Sequence, residues 1–235
     1  MIELIRAQKR YRGREISCFV DHLVLERGEI VGVLGDNGSG KTSFLKMIMG
    51  LGRLSNGTVR VDGKPPAEQY DRMAYVTEEG SWLPGMSPRD FGEFLSEFFP
   101  RFDPARYRRL LGSFELEEAK PIRSMSKGQR AKVELAAGFA KRADYLLLDE
   151  PFLGVDGTTR RRFLGELAAE LTGEELVLVA THFVEDFANL FDRALLFHGG
   201  RIRENVRIDD LREQGVSLAD RMTEVSLGKR DRTYL

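Results

Sequence analysis

The chain has 235 residues, 42% of them hydrophobic, which is enough apolar material for one substantial core with an inserted subdomain. Lys and Arg together number 36 against 37 Asp and Glu, so the formal net charge is −1. A balance this close to neutral argues against a nucleic-acid binder that works through bulk electrostatics, and we predict no nucleic-acid partner.

Composition and patterning also bear on the compartment. The first stretch, MIELIRAQKRYRGRE, is charged throughout and lacks the apolar segment of a signal peptide. The longest apolar runs, such as LVLVA at 176–180, are far shorter than the roughly 18–20 residues that a membrane-spanning helix needs. The single cysteine, Cys18, excludes an internal disulfide framework. We therefore expect a soluble cytoplasmic protein that only a partner could hold at a membrane.

The first predicted elements are strands. Residues 1–30 and 57–63 contain short stretches of alternating apolar and polar residues, as in GTVRVDG, which predict an antiparallel flank. The apolar run Ile30 to Leu34 predicts a buried strand, followed by a glycine-rich turn and a helix. One face of that helix would carry Phe44, Leu45, Ile48 and Met49.

The turn between this strand and helix reads GDNGSGKT at 35–42 and fits the phosphate-loop pattern G-x-x-x-x-G-K-[ST]. Glycines let backbone N–H groups approach phosphate oxygens, and the helix N-terminus adds partial positive charge. We predict that Lys41 neutralises the β- and γ-phosphates and that the Thr42 hydroxyl ligates Mg²⁺. The predicted nucleotide-binding residues of this segment are Gly35, Asn37, Gly38, Ser39, Gly40, Lys41, Thr42 and Ser43.

Between residues 79 and 136 the sequence becomes helical and Phe-rich, with interruptions at Pro88, Pro100 and Pro104. We interpret this segment as a small helical subdomain inserted into an α/β core. Most of its Phe side chains would belong to a core. Two of them, Phe98 and Phe99, are candidates for docking onto a partner.

The stretch SMSKGQR at 124–130 allows two interpretations. Ser126 followed three residues later by Gln129 is a capping box that predicts the start of the helix RAKVELAAGFAKR. A helix N-terminus with an exposed serine and a glycine, here Gly128, is also an anion-binding surface. Because the phosphate loop already serves the chain's own triphosphate, both uses are compatible if this surface faces the nucleotide of a second molecule.

Two later apolar runs end in polar residues. YLLLDE at 145–150 closes with Asp149, our candidate for Mg²⁺ binding, and Glu150, our candidate general base. An ordinary polar strand end is the alternative. ELVLVATH at 175–182 closes with His182, which could contact the γ-phosphate or be purely structural.

The remaining segments complete the fold prediction. ALLFHGGRI at 194–202 predicts a strand and a turn, and the basic cluster Arg160–Arg162 predicts a solvated helix face. Continuous apolar strands separated by helices indicate a parallel sheet covered on both faces. We predict an α/β P-loop NTPase (RecA-like) fold with a mostly parallel sheet, an antiparallel β flank and an inserted α-helical subdomain. Its predicted parts are a core of residues 1–78 and 137–205, a helical subdomain of residues 79–136 and a tail of residues 206–235.

Taken together, these motifs resemble the ATP-binding subunits of ABC transporters, the ATP-binding cassettes, over roughly residues 1–205. GDNGSGKT is similar to the Walker A loop of that family, MSKGQ at 125–129 to its signature sequence LSGGQ, and LLLDEP to its Walker B strand. The resemblance also implies a D-loop in LGVD, with Asp156, and a switch histidine, His182. In KRYRG it implies that Tyr11 stacks on adenine.

The chain departs from the family pattern at two positions. Where the family has a glutamine at the start of the helical insert, the matching position is Glu78, whose carboxylate can ligate Mg²⁺ but cannot donate a hydrogen bond. The first glycine of the signature is replaced by Lys127, which either adds charge near a partner's phosphates or, the interpretation we favour, lies in solvent.

The resemblance implies a mechanism and partners. Two cassettes, in a homodimer or with a paralogous chain, would sandwich two ATP molecules head to tail, and hydrolysis would release the pair. The helical insert would transmit this motion to an integral membrane subunit on a separate chain, which holds the cassette at the inner face of the cell membrane. The sequence of the insert also resembles bacterial export-type cassettes, so we expect an exporter.

The sequence leaves two rival functions open. One is a soluble ABC-type ATPase that is not coupled to transport and acts on ribosomes or chromosomes. Translation-type members carry two cassettes in one chain and chromosome-type members carry long heptad insertions, whereas this chain has one Walker A loop and no such insertion. The other is a regulatory module that senses ATP without turnover, which the intact pair Asp149 and Glu150 argues against.

Overall fold

The fold is taken from a computed structural model of the chain, which describes residues 1–11, 17–77, 79–152, 154–155 and 157–228. The strands within these residues are β1 (Ile2–Lys9), β2 (Cys18–Leu25), β3 (Ile30–Leu34), β4 (Asn56–Val61), β5 (Met73–Val76), β6 (Tyr145–Asp149), β7 (Leu176–Thr181), β8 (Arg193–His198) and β9 (Arg201–Arg207). The helices are α1 (Lys41–Ile48), α2 (Pro88–Phe98), α3 (Pro104–Ser113), α4 (Lys127–Ala140), α5 (Gly157–Glu170), α6 (Val184–Phe187), α7 (Ile208–Glu213) and α8 (Leu218–Ser226).

The described strands form one sheet in the order β4-β1-β2-β9-β8-β3-β7-β6-β5. The half that runs from β8 through β3, β7 and β6 to β5 is entirely parallel. In the other half, β1 pairs antiparallel with both β2 and β4, and β8 pairs antiparallel with β9. The predicted α/β fold, with its mostly parallel core and antiparallel flank, is confirmed.

Strands β6 and β7 show why their apolar runs are continuous rather than alternating. Leu147 and Leu178 point to the core that also holds the α1 side chains Phe44 and Leu45. Their neighbours Leu146, Leu148, Val177 and Val179 point to the opposite core, which is built from the helices α2 to α4, α7 and α8. A parallel sheet covered on both faces needs apolar residues at every strand position.

The helices of the insert begin where the sequence places proline. Pro88 and Pro104 occupy the first turns of α2 and α3, where a missing N–H costs nothing. Ser87 caps α2 through a complete capping box, and Asp103 caps α3 by accepting from the N–H groups of Ala105 and Arg106. The predicted limit of the helical subdomain after residue 136 falls inside α4.

The Phe residues of α2 and the following turn divide between core and surface. Phe91 is fully buried, whereas the Phe98 side chain is 63% exposed. Phe99, the other docking candidate, is partly buried and packs against the helical core, with the Lys141 ammonium 3.9 Å from its ring centroid. Of the two, Phe98 is the one that presents an apolar surface.

The buried ammonium of Lys141 is expected to lower the free energy of unfolding. Burial lowers the pKa of its ammonium from 10.5 to about 8, so the folded chain binds fewer protons than the unfolded chain between those pH values. The cost of the buried charge is therefore fully present below about pH 8 and is lost as the pH rises towards 10.5. We expect Lys141→Met to raise the free energy of unfolding at pH 7 by about 1 kcal/mol, with the gain shrinking at pH 10.

Urea unfolding at pH 7 and pH 10 measures this gain. Lys64→Met, at an exposed lysine, is the control, for which a similar effect at both pH values is expected. A gain for Lys141→Met that grew with pH would contradict the proposed cause.

The last part of the chain contributes to the core. Ile208 and Leu211 of α7, and Leu218 and Val225 of α8, are buried in the same core as the helical insert. Helix α8 packs on β8 and on α6, the short helix that follows β7. In the described part of the chain, no helix is long and apolar enough to cross a membrane.

One sequence-based prediction for α5 is wrong. The basic cluster predicts a solvated face, but the Arg160 side chain is only 10% exposed. It forms an ion pair with Asp186 of α6, with 2.5 Å between Nη1 and Oδ2. Charge clustering alone could not reveal that Arg160 is buried, because the acid that pairs with it lies 26 residues further along the chain.

Candidate functional site

The turn between β3 and α1 requires glycine at two points. Gly40 has a φ of +111°, and a Cβ there would lie 2.9 Å from the Ser17 carbonyl oxygen. A Cβ on Gly35 would lie 2.4 Å from the Phe197 carbonyl oxygen. Neighbouring backbone thus closes around the loop, and a side chain at either position would push the loop out of this conformation.

The start of α1 has the features of an anion-binding helix N-terminus. Gly40 occupies the N-cap position without a side chain to satisfy the first N–H groups, and the first turn contains no acid. Among the described residues, the buried Ser39 hydroxyl has no hydrogen-bond partner. Unpaired donors at a helix N-terminus fit phosphate oxygens, as the loop sequence predicts.

Lys41 lies at the centre of this loop. Its Nζ donates to the carbonyl oxygens of Gly35, at 2.7 Å, and Asp36, at 3.1 Å. Nζ also lies 3.8 Å from Oε1 of Glu150. Burial lowers the pKa of this ammonium, and the carboxylates of Glu150 and Asp149 act in the opposite direction. The side chain is thus held at the loop and faces the predicted acid pair.

Asp149, the last residue of β6, contacts the end of the loop. Its Oδ1 accepts a hydrogen bond from the Thr42 hydroxyl at 3.0 Å, and its Oδ2 accepts one from the Tyr75 hydroxyl at 2.9 Å. Burial raises the pKa of the Asp149 carboxyl. Tyr75 was not predicted to be part of the site. Its position on β5, next to β6, is the reason it reaches Asp149.

Glu150 and His182 come together across the ends of β6 and β7. His182 Nδ1 lies 3.0 Å from each carboxylate oxygen of Glu150. The Glu150 backbone has a φ of +46°, an uncommon conformation for a residue other than glycine, and its N–H donates to the Ala180 carbonyl oxygen. A strained residue held between a buried cation and an imidazole is typical of a reacting group.

Tyr11 lies just beyond the end of β1 and is 42% exposed. The far side of the same β1–β2 connection reaches the phosphate loop, because Gly40 faces the Ser17 carbonyl oxygen. Ser17 therefore lies at the loop, and the stacking of Tyr11 on a bound adenine stays a prediction. Residues 12–16 lie outside the described part of the chain.

The predicted capping box at the start of α4 is confirmed. The Ser126 hydroxyl accepts from the Gln129 N–H at 3.2 Å, and the Gln129 side chain accepts from the Ser126 N–H at 3.0 Å. Ser126 is exposed, and no hydrogen bond joins the described residues 126–129 to the loop at 35–43. The start of α4 is thus capped by its own side chains and is not hydrogen-bonded to the loop, and its contact with a second molecule's nucleotide stays a prediction.

Lys127, which replaces the first glycine of the signature, is exposed, and its stem passes close to Gly154. Two other predicted residues, Glu78 and Asp156, lie outside the described residues, so their roles stay predictions.

The loop, its buried lysine and the acid pair at the end of β6 have the chemistry to bind and cleave a nucleoside triphosphate. Asn37 and Gly38 are exposed at the tip of the loop, and Ser43 lies in the first turn of α1. On a mostly parallel sheet flanked by helices, this arrangement defines a P-loop nucleoside triphosphatase.

Comparison with known proteins narrows that class. The family model described as ABC transporter matches residues 21–153. The ABC transporter ATP-binding protein YtrB of Bacillus subtilis is 28% identical over 98% of this chain and 80% of its own length. A probable ABC transporter ATP-binding protein of Azorhizobium caulinodans is 34% identical over 83% of this chain and 73% of its own length.

A solved structure of the ATP-binding subunit of an ABC transporter has the same fold, with a TM-score of 0.84 at 24% identity over 96% of this chain and 99% of that one. The chain belongs to the ABC transporter family as an ATP-binding subunit and is an ATPase of that family. The resemblance drawn from the motifs is confirmed.

Proposed function

We propose that two of these cassettes, as a homodimer or with a paralogous chain, close head to tail over two ATP molecules. The observation that carries the proposal is the separation of the two helix starts: Ser126 is exposed, and no hydrogen bond connects its capping box to the phosphate loop among the described residues. Because the start of α4 is exposed, a second molecule can bring its nucleotide into contact with it. Each ATP then meets the loop of one chain and Ser126, Gly128 and Gln129 of the other.

In this arrangement the residues take separate roles. Backbone groups of the loop from Gly35 to Ser43 surround the phosphates, and Lys41 contacts the β- and γ-phosphates. Tyr11 stacks on adenine, and Asp156 lies at the boundary between the two chains.

Mg²⁺ fits the residues on the loop side. The Thr42 hydroxyl and the Asp149 carboxylate lie 3.0 Å apart, and hard oxygen donors of this kind suit Mg²⁺, which retains several waters. Thr42 would bind it directly, Asp149 through its water shell, and Glu78 from the matching family position. When bound, Mg²⁺ supplies positive charge to the β- and γ-phosphate oxygens.

Hydrolysis then depends on Glu150 as general base. A water oxygen attacks the γ-phosphorus, the bond from that phosphorus to the β–γ bridging oxygen breaks, and Glu150 accepts the proton that the water loses. His182, 3.0 Å from the carboxylate, orients Glu150 and reaches towards the γ-phosphate. ADP and inorganic phosphate are the products, and their release separates the two cassettes.

Loss of the Lys41 ammonium tests the phosphate loop. We expect Lys41→Ala to weaken ATP binding about 10- to 100-fold, because a charge-assisted contact to phosphate is removed. Lys46→Ala, at a lysine of the last turn of α1, is the matched control and should bind ATP as the unmodified chain does. Calorimetric titration with ATP measures both affinities. Equal affinities for the two variants would contradict the role given to Lys41.

We also propose that the cassette works at the inner face of the cell membrane, bound to an integral membrane subunit on a separate chain. The helical subdomain, residues 79–136, would carry the contact. Phe98, with 63% of its side chain exposed on α2, supports a docking surface there.

Co-purification distinguishes this function from its rivals. The chain, tagged and expressed in its native cells, should bring an integral membrane protein out of detergent-solubilised membranes. Capture of ribosomes or chromosomal proteins instead would favour a soluble ATPase. ATP binding without phosphate release, in the presence of the membrane partner, would favour an ATP sensor.

For direction, we propose export, on the resemblance of FFPRFDPARYRRLLGSFEL at 98–116 to export-type cassettes. Relatives point both ways by name: the lipopolysaccharide export protein LptB of Acidithiobacillus ferridurans is 32% identical over 86% of this chain, and the aliphatic sulfonates import protein SsuB 2 of Burkholderia cenocepacia is 31% identical over 89%.

Inside-out membrane vesicles, bathed in a small-molecule extract of the same cells, test the direction. With ATP, an exporter accumulates its cargo in the lumen, and vesicles that carry Glu150→Gln do not. ATP-dependent loss from preloaded vesicles would indicate import.

A further inference from the structure

Arg160, the buried arginine of α5, contacts two different parts of the chain. Its Nη1 pairs with Asp186 Oδ2 at 2.5 Å, and its Nη2 donates to the Val155 carbonyl oxygen at 3.1 Å. The centre of the guanidinium lies 3.7 Å from the centroid of the Phe183 ring. A planar guanidinium can make all three contacts at once, because its edge donates while its face stacks. A lysine ammonium cannot reproduce this geometry.

The loop at Val155, the first of these two parts, lies next to the start of α4. Gly128 lies beside the loop at Gly154 and Val155: a Cβ on Gly128 would be 3.6 Å from the Gly154 carbonyl oxygen and 3.8 Å from Val155 Cγ2. Arg160, through Val155, therefore holds a loop that packs on the surface proposed to close over a neighbouring molecule's ATP.

The segment with Phe183 and Asp186, the second part, lies next to the reacting groups. The Phe183 ring lies 4.0 Å from the His182 ring, centroid to centroid, and His182 contacts both oxygens of Glu150 at 3.0 Å. Asp186 is in α6, which directly follows this segment. The position of His182, and with it the orientation of Glu150, thus depends on where Arg160 holds Phe183 and Asp186.

We propose that Arg160 is a positioning residue that ties the loop Gly154–Val155 to the segment from His182 to Asp186. Closure of the Ser126 surface over the neighbour's nucleotide then orients Glu150 in the same chain. This inference rests on the proposed head-to-tail dimer. It assigns to one buried side chain the link between a cassette's contact with its neighbour and its own catalytic base.

A second buried arginine provides the matched comparison. Arg106 of α3 pairs with Glu170 at the end of α5, with 2.6 Å between Nε and Oε2. Arg106 is as buried as Arg160, and its described partners include neither the phosphate loop nor His182. Loss of either arginine should lower Tm, but only loss of Arg160 should change the chemical step.

The test measures kcat, the Kd for ATP and Tm for Arg160→Gln, Arg160→Lys, Asp186→Asn and Arg106→Gln. We expect Arg160→Gln to lower kcat about 10- to 100-fold with an ATP affinity near that of the unmodified chain, because misplacement of a reacting group acts on the reaction rather than on binding. Arg160→Lys should recover only part of the loss, and Arg106→Gln should keep kcat.

Asp186→Asn covers the case in which Arg160→Gln fails to fold. Asp186 is partly exposed, and asparagine keeps the shape of the side chain and can still accept from the guanidinium, so Tm should fall less than in Arg160→Gln while kcat falls. Unchanged kcat in Asp186→Asn and Arg160→Lys would overturn the inference, as would an equal loss of kcat in Arg106→Gln. An unmodified chain that neither binds nor hydrolyses ATP would overturn the proposed function and this inference with it.

Discussion

Glu150→Gln is expected to lower kcat for ATP hydrolysis by about 10²- to 10⁴-fold while ATP still binds, because the glutamine amide keeps the shape of the side chain but cannot accept the proton of the attacking water. Removal of the carboxylate charge 3.8 Å from Lys41 Nζ also leaves the ammonium more available to phosphate. Since ATP then persists between the two chains, the variant should form a dimer in ATP that gel filtration resolves from the monomer.

Phosphate release and gel filtration, with and without ATP, measure these effects. Glu170→Gln is the control: this glutamate pairs with Arg106 and Arg109, and its loss should leave kcat unchanged. A Glu150→Gln chain that stays monomeric at saturating ATP would contradict the sandwich. One that hydrolyses ATP at the normal rate would exclude Glu150 as the base.

Ser126→Asp is expected to abolish ATP-dependent dimerisation and turnover, whereas Ser126→Asn should retain much of both. Asp and Asn are both good N-caps, so either can replace the hydrogen bond that Ser126 accepts from the Gln129 N–H. They differ in charge, and a carboxylate here would repel the triphosphate of the neighbouring chain. The comparison therefore separates loss of the helix cap from loss of the contact with ATP.

Mixing two inactive variants decides whether the site is shared. In a head-to-tail pair of Lys41→Ala with Ser126→Asp, one site carries both changes and the other carries neither. Random pairing of equal amounts should then restore up to about a quarter of normal turnover. The same two changes in one chain, mixed with itself, should restore nothing. Failure of the mixture to gain activity would contradict a shared site.

Local patterns in the sequence were sufficient for those parts of the site that lie within one short stretch. The spacing of glycines and lysine in residues 35–42 predicts a loop whose backbone N–H groups and single lysine ammonium surround phosphate. The capping box depends on two side chains three residues apart, Ser126 and Gln129, and the structure contains both of its hydrogen bonds. The acids at 149 and 150 follow directly from the end of a buried apolar run.

Contacts between distant stretches could not be predicted in this way. Tyr75 reaches Asp149 because β5 and β6 pair with Val76 opposite Leu148, and His182 reaches Glu150 because β6 and β7 pair with Asp149 opposite Ala180. Arg160 belongs to a basic cluster that predicts a solvated face, and only its contacts with Asp186 of α6 and with Val155 show that it is buried. The resemblance to a known family, rather than any local pattern, linked the start of α4 to ATP and nominated Asp156 and Glu78.

Short stretches of sequence were therefore enough to predict the P-loop class, the phosphate loop, the acids at 149 and 150 and the capped start of α4, since hydrogen bonding and hydrophobic periodicity over a few residues specify each of them. The folded structure was needed to show which side chains surround Asp149 and Glu150, that Arg160 is buried, and how α7 and α8 complete the core. Those outcomes depend on strand register and packing between residues far apart in the chain, which no short stretch encodes.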